Sequence, residues 1–188
     1  MSGRSLRSRS AAQVFLVLLV IYLAIAVPFR SLAFIEGLTD IRPVNMLMPV
    51  YGVFFGPAGA WAFAVGNTIS DAVAGNLGWA SIGGFLANFA AVYVYYIVWN
   101  RLVKTRITLS DWRGLGQFLA SVIAATAVTV AILAPIVAIL EPTVNLAYFS
   151  QIVTINNFVF ALVPGIAIII MESEYGMAPY RELRNGPS

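Results

Sequence analysis

Long apolar runs separated by short polar joints organise this chain. The first run, Ala11–Phe29, has Gln13 as its only strongly polar residue. A helix of that length and composition can cross a hydrocarbon core of about 30 Å. A mixed loop follows, Arg30–Pro43, and then a short apolar stretch, Val44–Phe55. At about 1.5 Å per residue this stretch reaches only about 18 Å. Pro49 predicts an interruption within it, and Gly56-Pro57 predicts its end. Further runs lie at Ala58–Ala74, Trp79–Trp99, Leu115–Leu140 and Tyr148–Met171. They are joined by the turn Gly75–Gly78, the basic loop Asn100–Arg113 and the connection Glu141–Ala147. Pro135 falls near the end of the fifth run, and Pro164 with Gly165 predicts a bend in the sixth. The pattern predicts an all-α integral membrane protein of six transmembrane helices, the second short and proline-interrupted. Residues 11–171 form one transmembrane domain between a basic disordered tail at 1–10 and a polar cytoplasmic tail at 172–188.

Composition makes the lipid bilayer a partner. Of 188 residues, 60% are hydrophobic and 10% charged, where a soluble domain carries about 25% charged residues. One water-soluble core of this size cannot hide such a deficit. The first run is too long for a signal peptide and lacks a small-residue cleavage site. The net charge of +3 lies in short segments. It therefore reads as a topology signal and not as a nucleic-acid footprint. With six spans, Arg4, Arg7, Arg9, Arg101, Lys104, Arg106, Arg113, Arg181 and Arg184 share one side, and only Arg30 and Arg42 lie on the other. The positive-inside rule then makes both termini cytoplasmic.

Absences narrow the chemistry. The chain has no cysteine and no histidine, which removes thiolate chemistry, the commonest metal ligand and the usual general base. No phosphate-binding loop, G-x-S-x-G elbow or metal-ligand cluster occurs. The expectation is no enzyme, no metal and no cofactor. A membrane enzyme would need gathered carboxylates, and Glu36, Asp40, Asp71 and Glu141, all expected outside, keep that reading open.

Candidate chemistry concentrates in Ile41–Phe89. Asn67 and Asp71 are four apart in the third run and share a helix face, with Ser70 beside it. A carboxylate at membrane depth costs about 2.5–3.5 kcal/mol at the helix centre, so it should face protein or a cavity. Asp71 reads either as a ligand contact or as a group that reaches the outer interface or caps the following turn. Asn45, Asn88, Gln151, Thr154, Asn156 and Asn157 add amides and a hydroxyl. Gln151, Thr154 and Asn157, three apart in turn, read as a polar stripe lining a site for a neutral or zwitterionic molecule. The alternative is interhelical hydrogen bonding, preferred for Asn88. Glu36, Asp40 and Arg42 in the mixed loop are either solvated charges or part of a lid, for which Leu32, Phe34, Ile35 and Leu38 supply an apolar underside. Of the aromatics Trp61, Trp79, Tyr93, Tyr95 and Tyr96, most read as interface anchors, and Trp79 joins the candidate site. Small residues recur at four-residue spacing: Gly52/Gly56, Ala60/Ala64, Ala87/Ala91, Ala120/Ala124 and Ala127/Ala131. They read as close packing within the bundle or as a docking face for another membrane subunit.

PVNMLMPVYGVFFGPAGAW, GNTISD and GWASIGGFLANF together resemble the substrate-binding S components of energy-coupling factor (ECF) transporters. These are small six-helix membrane proteins that capture vitamins and related micronutrients. The layout covers nearly the whole chain, the motifs about a quarter of it. The resemblance implies an outward-facing pocket under the Arg30–Pro43 lid. It implies a small-molecule substrate, a separate membrane coupling subunit with ATPases, and residence in a prokaryotic plasma or inner membrane. Carried onto this sequence, the substrate contacts are Asp40, Arg42, Asn45, Asn67, Asp71, Trp79 and Asn157. IRPVNML is similar to the branch associated with queuosine precursors, without naming a substrate. Family members often dock through a small-x-x-x-small pair in the first helix. Here Ala24 and Ala26 are two apart, which leaves action alone or with an unrelated partner open. The leading expectation is a micronutrient-binding component of an uptake transporter for a vitamin-like or nucleobase-like solute. The alternative is a structural or assembly subunit of a larger membrane complex.

Overall fold

The computed structural model describes residues 11–29, 33–35, 39–103, 109, 112–174 and 180. The disordered tail expected at 1–10 lies outside the described residues, as does most of 172–188. Helix α1, Ala11–Ala26, runs on as a 3-10 turn, Val27–Phe29. Two short strands, β1 at Ala33–Ile35 and β2 at Thr39–Asp40, pair antiparallel with Ala33 opposite Asp40. This pair occupies the stretch expected to be a loop. A 3-10 turn, Pro43–Met46, leads into α2, Leu47–Val73. Helix α3, Trp79–Ile97, ends in a π-helical stretch, Val98–Val103. Helices α4, Trp112–Leu140, and α5, Leu146–Glu174, complete the bundle.

Five of these helical stretches are long and apolar enough to cross a membrane. The second and third runs of the sequence have become one, α2, broken at Gly56. Pro49 does not interrupt it. As the third residue of α2 it occupies the first turn, where a backbone N–H has no intrahelical acceptor to reach. The break comes at Gly56-Pro57. Gly56 has φ 55° and ψ −134°, in the positive-φ region that a side chain disfavours. Pro57 cannot donate to the Val53 carbonyl four residues back. Asn100 Nδ2 from the π-helical stretch donates to that carbonyl instead, at 3.2 Å.

The chain reverses at this break. Arg42 bonds Asn67 at 3.1 Å, the Tyr51 and Phe63 rings lie 5.8 Å apart, and Gly59 packs on the Tyr51 carbonyl. In one straight helix Tyr51 and Phe63 would be about 18 Å apart along the axis. Two arms, Pro43–Phe55 (the 3-10 turn with the first part of α2) and Pro57–Val73, therefore run antiparallel, with Gly56 at the tip.

The hairpin lies at the centre of the bundle and packs most extensively on α3, then on α1. Tyr22 of α1 meets Phe63 edge-on at 4.7 Å, and Tyr51 Oη donates to the Leu18 carbonyl at 2.6 Å. Glycine permits the closest approaches: Gly66 lies under the Tyr22 ring, and Gly52 faces the Val92 carbonyl and Tyr95. Ala60, Ala64, Ala87 and Ala91 are fully buried, so these small residues pack the bundle interior. Ala120, Ala127 and Ala131 of α4 are exposed.

Candidate functional site

Side chains from four parts of the chain meet at the end of the bundle opposite the hairpin tip. Arg42 sits just after β2, where the chain enters the first arm of α2. Its guanidinium Nη1 donates to Asn67 Oδ1 at 3.1 Å, and Asn67 Nδ2 donates to Asp71 Oδ2 at 3.3 Å. Asn67 and Asp71, one helical turn apart on the second arm, thus join a cation to a carboxylate through an amide. Asn67 is 1% exposed and Asp71 7%. A buried carboxylate needs such compensation, since an isolated charge at this depth is costly.

Helix α5 closes the cluster. Asn156 Oδ1 accepts from the Arg42 backbone N–H at 3.2 Å, and Asn157 Oδ1 accepts from Asn45 Nδ2 at 2.7 Å. One acceptor, Asn45 Oδ1, and one donor, Asn157 Nδ2, have no partner among the described residues. Buried polar atoms are nearly always paired, and this donor and acceptor are sealed from solvent with that capacity unused among the described residues. Gly84 of α3 completes the wall: a Cβ there would stand 2.9 Å from Asn67 Nδ2. The third glycine of GWASIGGFLANF is thereby tied to the position of Asn67. A cleft beside the cluster is lined by Tyr22, Ala26, Phe29, Ile41, Arg42, Pro43 and Val44. Cation, carboxylate and amides together can hold a neutral or zwitterionic solute by hydrogen bonds. Among the described residues no three carboxylates gather as a metal site.

Of the residues expected at the site, Arg42, Asn45, Asn67, Asp71 and Asn157 come together. The side chain of Asp40 lies outside the described residues, as do Glu36 and Leu38. The backbone of β2 does pack on α5. Trp79 does not join: it opens α3 and is 76% exposed, as an interface anchor would be. Gln151 and Thr154 are exposed, and Thr154 bonds the Ser150 carbonyl of its own helix at 2.7 Å. Asn88 likewise bonds locally, to the Gly84 carbonyl at 2.7 Å. Asn156, placed among the polar groups of the last run but not at the site, is a member of the cluster. Its signal was the burial rhythm of α5, where Phe149, Ile152, Val153, Asn156, Asn157 and Ala161 face inward.

A family model described as the QueT transporter matches residues 15–173 of the chain. No curated protein and no solved structure matches it.

Proposed function

The chain belongs to the QueT transporter family, and on that premise we propose that it captures a queuosine precursor or a similar nucleobase-like micronutrient for uptake. The family is one of the S components of ECF transporters, as the motifs of the sequence suggested. The protein is therefore a multi-pass membrane transport component that binds substrate, and not an enzyme.

The observation that carries the substrate reading is the compensated polar cluster of Arg42, Asn45, Asn67, Asp71, Asn156 and Asn157 in an otherwise apolar bundle. Polar groups at membrane depth mark substrate paths by default. The unpaired Asn45 Oδ1 and Asn157 Nδ2 offer an acceptor and a donor to a heterocycle, and the Arg42–Asn67–Asp71 relay fixes their surroundings. Asp40, on β2 against α5, completes the set of contacts in this reading, and Trp79 stays outside it as an exposed anchor.

Counting each arm of the hairpin as a pass gives six crossings with both termini cytoplasmic. The cluster then faces outward under the segment that holds β1 and β2. Release inward depends on a separate membrane subunit with ATPases, because the chain has no phosphate-binding loop of its own. A prokaryotic plasma or inner membrane is the setting.

Uptake of a labelled queuosine precursor by cells expressing the chain tests the substrate. Native mass spectrometry of the protein in mild detergent reports bound molecules and companions together. A bound heterocycle supports this reading. A stoichiometric membrane partner with no small molecule favours the assembly-subunit reading.

A further inference from the structure

Where α3 adjoins the second arm of the hairpin, aromatic rings run along the helix toward a cation. Trp61 of the arm lies 6.0 Å from Phe85 and 5.0 Å from Phe89. Phe89 stacks on Tyr93 at 5.6 Å with the ring planes 14° apart, and Tyr93 lies 5.2 Å from Tyr96. Steps of three and four residues keep these α3 rings on one stripe. Trp61 is 50% exposed, and Phe85, Phe89 and Tyr93 are half-buried, so the run is open along its outer face. It ends at Arg101. This exposed side chain hydrogen-bonds the Tyr96 hydroxyl and lies close to Tyr93. Tyr96 is buried, with the Tyr180 ring edge-on to it at 5.7 Å, and half-buried Tyr93 is the more accessible phenol. Among the described residues no carboxylate neutralises Arg101. A guanidinium has five N–H donors and a phenol one O–H, a donor set that suits an oxyanion.

Depth says which oxyanion. Trp79 opens α3 as an exposed anchor at one interface. Arg101 follows about 33 Å further along the helix, enough to cross a hydrocarbon core of about 30 Å. The guanidinium therefore stands at the lipid-phosphate level of the opposite leaflet. Phe89, about 18 Å back along the helix, reaches the middle of the bilayer, so the ring run matches one acyl chain. We propose that the groove between the second arm and α3 holds an anionic phospholipid, with its phosphate on Arg101 and Tyr93 and an acyl chain along the rings to Trp61. A zwitterionic headgroup would bring its ammonium beside the guanidinium with no carboxylate to receive it. A headgroup with net negative charge carries no such penalty. The inference goes beyond the substrate reading and does not depend on it.

The full chain, stripped of lipid in mild detergent, is titrated with phosphatidylglycerol or with phosphatidylcholine bearing the same acyl chains. Native mass spectrometry counts the bound lipid. Phosphatidylglycerol is expected to bind about tenfold more tightly, as a charge-assisted contact would give. Arg101→Gln is expected to bring the two lipids within about twofold of each other. Tyr93→Phe, which keeps the ring and removes one donor, is expected to lower the preference about threefold, and it decides the matter if Arg101→Gln does not fold. Arg113→Gln is the control: this exposed cation lies over the Trp112 ring at 5.7 Å, and its loss is expected to leave the preference in place. Trp61→Ala is expected to weaken both lipids alike, because it shortens the chain groove and leaves the headgroup contacts. Equal binding of the two lipids by the native chain would overturn the site. So would a full preference in both Arg101→Gln and Tyr93→Phe, an equal loss in Arg113→Gln, or native binding of both lipids by Trp61→Ala.

Discussion

Asn67 bridges Arg42 and Asp71, so truncating either member of the α2 pair removes a hydrogen bond that involves a charged group. Such bonds contribute about 1.5–3 kcal/mol. Asn67→Ala or Asp71→Ala is therefore expected to weaken ligand binding by about ten- to a hundredfold while the protein still melts cooperatively. Equilibrium binding beside a thermal unfolding curve checks this, and native affinity in both variants would remove the cluster from the site. Trp79→Ala, at a position 76% exposed, is expected to change affinity by no more than about twofold. The α2 pair was legible in the sequence because four-residue spacing fixes a shared helix face. The Gln151–Thr154–Asn157 stripe misled for a related reason. Three residues turn a helix by about 300°, so each step drifts by about 60°, and the first and last members diverge. Asn156 and Asn157 face the cluster, while Gln151 and Thr154 are exposed.

Elements show which sequence signals carry structure. Hydropathy located the membrane runs, because burial in lipid demands long unbroken apolar helices. It did not reveal that Pro49 is harmless and Gly56-Pro57 decisive, since that depends on which N–H groups lack acceptors. The β1–β2 pair left no trace in the pattern, being three and two residues long. Nor was the role of Asn100 legible, because its partner Val53 lies 47 residues away. Asn100→Leu strands that buried carbonyl and is expected to cost about 1–3 kcal/mol, read as a lower melting temperature with ligand contacts untouched. Gly84→Val acts differently. Its side chain would press on Asn67 Nδ2, so binding is expected to fall more than stability. Comparing the two variants in both assays separates support for the tip from support for the site.

At the scale of the molecule, reversal at Gly56 decides which side each joint faces. With the arms as separate passes, Asn76→Cys is expected to react with an impermeant maleimide added outside intact cells, and Leu109→Cys only after the membrane is opened. A single uninterrupted crossing by α2 would invert both results. The resemblance to S components rested on short motifs within Ile41–Phe89, and the family match now extends over residues 15–173.

The brevity of the first arm bears on biosynthesis. Pro43–Phe55 is too short to bridge a bilayer unaided: at about 1.5 Å per residue it covers about 20 Å of a core of about 30 Å. It should therefore enter the membrane only together with Pro57–Val73, the two halves partitioning from the translocon as a pair. A nascent chain stalled shortly after Gly56 would leave its first arm stranded at the headgroups.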